Sequence, residues 1–158
     1  MISAINALTL KPAQCALWLR PRKEKRLNWF YRGLRLLAVT VLTSFDESDL
    51  ADLGYPCQVS DLVALRVGKA VEAGVDGIVC SPLEVARVRS LAGPDAILVT
   101  PGVRSAGAGK GDQKRVATPA EAVRDGANYL VIGRQVTRAQ DPRSEVLRIC
   151  DEILAMSQ

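Results

Sequence analysis

Residues 96–104 read AILVTPGVR and residues 128–137 read NYLVIGRQVT. In both, a β-rich apolar run stops at glycine and arginine: Gly102 and Arg104 in the first, Gly133 and Arg134 in the second. Such a stop offers a backbone N–H and a fixed cation at the carboxyl end of a strand, the edge where parallel α/β proteins bind anionic ligands. In a barrel of alternating strands and helices, the loops after the last two strands are where phosphate commonly docks. A surface ion pair is the alternative use of such an arginine. Two arginines placed alike after successive strands put the ligand on an equal footing with that use.

Working outward, LLAVTVLTS (residues 36–44) and DGIVCS (residues 76–81) are runs of the same kind. Nearly continuous apolar character is expected of parallel strands covered on both faces. Helix signals fill the gaps. Ser81-Pro82-Leu83-Glu84 and Thr118-Pro119-Ala120-Glu121 have the pattern of capping boxes with proline at the first helical position, and Asp141-Pro142 opens a last helix similarly. Val63, Val67, Ala70 and Val71 form one apolar stripe that stops at Gly74, while Val85 and Val88 serve the next helix before Gly93-Pro94. Each strand is followed by a helix. The expected fold is therefore α/β, four β/α units, the C-terminal half of a TIM-type (β/α)8 barrel.

The chain has 158 residues, 48% of them hydrophobic, which suffices for one domain with a core. No apolar stretch approaches the roughly 20 residues of a membrane span. Histidine is absent, which excludes Ser-His triads, histidine acid/base chemistry and histidine metal ligation within these residues. Cys15, Cys57, Cys80 and Cys150 show neither C-x-x-C spacing nor clustering, so reduced thiols in a cytoplasmic setting are expected rather than a disulfide framework or zinc site. Charge is divided unevenly. Residues 1–35 carry eight basic residues against the single acid Glu24, whereas the remainder has more acids than bases. Both tryptophans, Trp18 and Trp29, also lie in that leader. The boundary is drawn at Leu36, with residues 1–35 expected to be a disordered leader unrelated to the rest. RPRKEKR beside tryptophans is the composition of a nucleic-acid contact; a leader without that role is preferred, so nucleic acid is not an expected partner.

LLAVTVLTS, DLADLGY, DGIVCS, LVTPGVR, GDQKR and YLVIGRQVT, in this order and spacing, resemble the C-terminal half of the orotidine 5′-phosphate decarboxylase family, from about Leu36 to the C-terminus. The resemblance implies conversion of orotidine monophosphate (OMP) to UMP and CO2 in pyrimidine synthesis, with no metal or organic cofactor. It also implies substrate-binding roles. Thr43 matches a threonine after the fifth barrel strand that contacts the nucleotide, and Arg104 the arginine after the seventh. Gln113 matches the glutamine of a loop reaching over phosphate and pyrimidine; Gly133 and Arg134 match the phosphate-binding pair after the eighth strand. The residues from 105 to 114, with Gly107, Gly109 and Gly111 and no large apolar side chain, have the composition of a flexible lid. Asp112 and Lys114 are not taken as a catalytic pair, since such a loop holds them too loosely.

The family's reaction is implied to depend on a lysine and aspartate array, D-x-K-x-x-D, on the third barrel strand. That pattern occurs nowhere in the 158 residues. In the family the lysine ammonium delivers the proton and offsets carbanion charge, so without it the largest electrostatic contribution is missing. No catalytic residue is assigned. The expected partners are the nucleotide OMP or UMP, and either a second copy or a separate N-terminal half. A non-catalytic nucleotide-binding remnant is the alternative.

Overall fold

The computed structural model describes residues 35–107 and 114–155; Gln113 and residues 1–34 lie outside the described residues. Strand β1 (Leu37–Val39) is followed by helices α1 (Glu47–Asp52) and α2 (Val59–Glu72). Strand β2 (Gly77–Val79) leads through a 3-10 turn (Pro82–Glu84) into α3 (Val85–Ala92). Then come β3 (Ile97–Pro101), α4 (Pro119–Arg124), β4 (Tyr129–Val131), α5 (Arg134–Thr137) and α6 (Pro142–Ala155). The sheet is parallel in the order β1-β2-β3-β4. Each strand is thus added beside its predecessor on the same side. That is barrel order, without the reversal of a doubly wound sheet.

Side chains alternate across a strand, so the register sorts the sheet into two faces. Ile78, Leu98, Cys80 and Thr100 fall on the face packed by helices, where Val63 and Val67 of α2, Val85 and Val88 of α3 and Ala122 of α4 complete the core. The opposite face is covered less. Leu37 and Val39 on β1 and Tyr129 and Val131 on β4 are 39%, 58%, 61% and 51% exposed. The expectation of strands buried on both faces is therefore not met at the outer strands, whose side chains on this face stay partly exposed. Within the sheet the fit is close: a Cβ on Gly77 would overlap the carbonyl of Ile97 and come 2.7 Å from Leu37 Cδ2.

The strands are also shorter than the apolar runs that announce them. The strand-like segment 128–137 yields only Tyr129–Val131 as strand, and residues 134–137 form α5, because the chain turns at Gly133, whose carbonyl accepts from Val136 N at 2.9 Å and Thr137 N at 3.0 Å. In α2 the stripe of Val63, Val67 and Ala70 is buried, but Val71 is 46% exposed. Gly74 and Gly93 end their helices with φ of 71° and 84°.

Capping separates one correct expectation from one correction. Thr118 accepts from Glu121 N while the Glu121 carboxylate accepts from Thr118 N at 2.9 Å, a complete capping box that holds the Glu121 carboxyl below its usual range. Asp141 Oδ1 accepts from Arg143 N and Ser144 N at the start of α6. Ser81, by contrast, makes no side-chain cap bond, and the carboxylate of Glu84 pairs with Arg115 instead. Thr118→Ala should cost about 1 kcal/mol, within the roughly 0.5–2 kcal/mol measured for such caps. Urea denaturation checks it, and an unchanged midpoint would show that the box contributes nothing. Among the described residues no helix is long and apolar enough to cross a membrane.

Candidate functional site

All strands point the same way, so the loops after them gather at one edge of the sheet. Thr43 lies in the loop after β1 and is buried at 7% exposure. Its carbonyl accepts from Lys114 N at 3.1 Å and Arg115 N at 3.2 Å. Its side chain faces Gly102 after β3: a Cβ there would stand 3.1 Å from Thr43 Cγ2 and 3.2 Å from the Arg115 carbonyl. With φ at 81°, Gly102 also holds a backbone conformation that side chains disfavour. Thr43 and the PGVR turn are thereby in contact, although β1 and β3 are not neighbours in the sheet.

Arg104 sits differently from the expected open cation. It is only 9% exposed, its N–H donates to the Ala117 carbonyl at 3.0 Å, and its Nη1 donates to the Val103 carbonyl at 2.6 Å. The N–H expected to be bare is satisfied, and the guanidinium folds back on its own strand end. Gly133 is the N-cap of α5, and a Cβ there would meet no atom within 4 Å. Arg134, the first residue of α5, is exposed. Gln113 lies outside the described residues.

Gln135 joins the loops after β3 and β4. Its Oε1 accepts from Ser105 N at 3.1 Å, and its Nε2 donates to Ser105 Oγ at 2.9 Å and to Glu145 Oε1 at 2.8 Å. Glu145 also accepts from Arg148 on α6 at 2.7 Å. Hydrogen bonds from Arg148, and then from Gln135, hold the Glu145 carboxyl down at about 2. The amide is thus fixed at both ends, and Arg104-Ser105 is tied beside Gly133-Arg134.

Arg115 joins the loops after β1 and β2. Its Nη2 donates to the carbonyls of Val41 at 3.1 Å and Leu42 at 3.0 Å, and its Nη1 pairs with Glu84 Oε1. Burial lowers the pKa of this guanidinium. Next to it, Lys114 Nζ lies 2.9 Å from Asp46 Oδ2 and 2.7 Å from Asp49 Oδ2. Hydrogen bonds from Ser48 and then Lys114 keep the Asp46 carboxyl well below the usual range. Lys114 is therefore held on α1 by two carboxylates, not loosely as the glycine-rich loop composition implies. Sequence reasoning missed Arg115, Glu84 and Gln135. Gln135 sits among Arg134, Val136 and Thr137, and no local pattern marks it out.

The sequence model described as "Orotidine 5'-phosphate decarboxylase / HUMPS family" matches residues 7–149. Orotidine 5'-phosphate decarboxylase of Methylobacterium sp. (strain 4-46) is 58% identical over 121 residues, covering 77% of this chain and 51% of that protein. The protein of the same name from Rhodopseudomonas palustris (strain BisB5) is 57% identical over 121 residues, covering 77% and 52%. Among solved structures, orotidine 5'-phosphate decarboxylase from Lactobacillus acidophilus superposes with a TM-score of 0.60 at 35% identity, over 75% of this chain and 49% of that one. The chain thus spans about half the length of the curated relatives it matches. From the parallel barrel-order sheet, the two glycine-arginine strand ends and these likenesses together, the chain belongs to the orotidine 5'-phosphate decarboxylase / HUMPS family.

Proposed function

We propose that this chain is the phosphate-gripping half of an orotidine 5'-phosphate decarboxylase, which takes OMP to UMP and CO2 only when a D-x-K-x-x-D segment is supplied by another half. The observation that carries the reading is the tie through Gln135, which sets Arg134 and Gly133 beside the end of β3. Arg134 is the cation assigned to the phosphate. Gly133 allows close approach of the backbone, and Thr43 and Gln113 are assigned to the nucleotide. Arg104 reaches a ligand only after its guanidinium leaves the Val103 carbonyl, so its part is secondary. The reaction breaks the carbon–carbon bond to the carboxylate and places a proton on the ring carbon, which these residues cannot do; remote phosphate binding has no local chemistry to drive. A cytoplasmic setting suits the free thiols of Cys57, Cys80 and Cys150.

Titrating UMP into the purified chain tests the assignment. Weak binding is expected, with Kd on the order of millimolar, about −4 kcal/mol. Arg134→Ala should weaken it by about 1.5–3 kcal/mol, roughly ten- to a hundredfold. Binding that is undetectable, or indifferent to Arg134→Ala, would remove the basis for a phosphate site.

A further inference from the structure

The two outer edges of the sheet are both apolar and differ in shape. Beside β1 lies a pocket of about 330 Å³, walled mainly by apolar side chains such as Leu42, Phe45 and Leu53, with Tyr55 and Arg66 also lining it and no residue of β2. Leu42 and Leu53 remain 56% and 58% exposed. Beside β4 the feature is a ridge. Helix α6 packs on α4 and α5 and buries Ile149, while Val146, Leu147, Cys150 and Leu154 stay exposed. At 3.6 residues per turn these four occupy one flank of the helix, away from Ile149. Exposed apolar surfaces of this extent mark interaction sites.

We infer that two copies of this chain close on each other into one eight-stranded ring, with β4 and the α6 ridge of each copy seated on the β1 edge and pocket of the other. Three observations single out a second copy. All four strands are parallel, so β4 of one copy can join β1 of the next in the same sense as β1 joins β2. Two such junctions, related by a two-fold axis along the strands, close at eight strands, where this barrel closes and no edge is left. The matched part is also 49% of the solved L. acidophilus chain, so two copies supply about one relative's worth of β/α units. Joining like edges would instead make antiparallel pairs and set pocket on pocket or ridge on ridge. The inference stands apart from the phosphate reading, since it uses the strand edges and not the loops.

Sedimentation velocity on the full chain should give one species of twice the 17.0 kDa chain mass. Leu147→Asp on the ridge and Leu53→Lys at the pocket alter side chains 56% and 58% exposed, so circular dichroism should show each variant folded. Each alone should weaken association at least tenfold. An equal mixture should restore the two-chain species, because one junction is then unsubstituted and the other sets aspartate against lysine. A monomeric unsubstituted chain would overturn the ring. An open-ended series of larger species would also overturn it, as would a two-chain species indifferent to both substitutions or a mixture no better than its components.

Discussion

Arg115→Met should destabilise the fold by about 3–5 kcal/mol, the usual cost of leaving one member of a buried ion pair without its partner. The side chains of Arg115 and Glu84 are 11% and 10% exposed, and Glu84 Oε2 already lacks a hydrogen-bond partner. Removing the guanidinium strands the whole carboxylate and takes a donor from the Val41 and Leu42 carbonyls, of which Leu42 keeps Phe45 N. Against the roughly 5–15 kcal/mol that holds an ordinary domain together, this is a large fraction. Removing both charges, as in Arg115→Met with Glu84→Leu, should cost much less, because no unpaired ion then remains inside. Urea denaturation at matched protein concentration reads both. A single-variant loss under about 1 kcal/mol would mean that water screens the pair.

The same residue shows where the sequence could be read and where it could not. Period and punctuation were legible: the apolar runs around Ile78, Leu98 and Leu130, the proline-headed helices and the glycine stops announced four parallel β/α units. Local patterns became unreliable where a distant partner competed. Ser81-Pro82-Leu83-Glu84 has the form of a capping box, but Arg115, 31 residues along the chain, takes the Glu84 carboxylate. The strand-like segment NYLVIGRQVT ends early as a strand: after Tyr129–Val131 the chain turns at Gly133, and residues 134–137 are helical.

The candidate site was legible in part for the same reason. A glycine and an arginine at a strand end are a local signal, and both arginines do follow strands, Arg104 after β3 and Arg134 after β4. Whether a guanidinium points outward is not local. Arg104 folds onto the Val103 carbonyl, and nothing in PGVR foretells that. Gln135 acts through Ser105, 30 residues away, and through Glu145 on α6, so its role exists only once three elements have assembled.

The largest expected effect is on turnover. Phosphate binding contributes to catalysis only when its energy is realised at the reacting carbon, and there the developing negative charge needs a fixed cation and a proton donor. Lys114 cannot take that part while Asp46 and Asp49 hold it on α1, and Arg115 is committed to Glu84. Release of CO2 from OMP by the purified chain should therefore match the rate in buffer. A separately expressed first half carrying D-x-K-x-x-D would need the β1 and β4 edges, and so would compete with the two-copy ring inferred above. Co-expression should favour that exchange.

Labelled CO2 release from OMP, measured on the chain alone and after co-expression with such a half, tests the central claim most directly. The expected result is no turnover alone, turnover on complementation, and its loss again when the complementing pair carries Arg134→Ala. Robust turnover by the chain alone, abolished by Arg134→Ala, would contradict the account and place the missing reaction chemistry within these 158 residues.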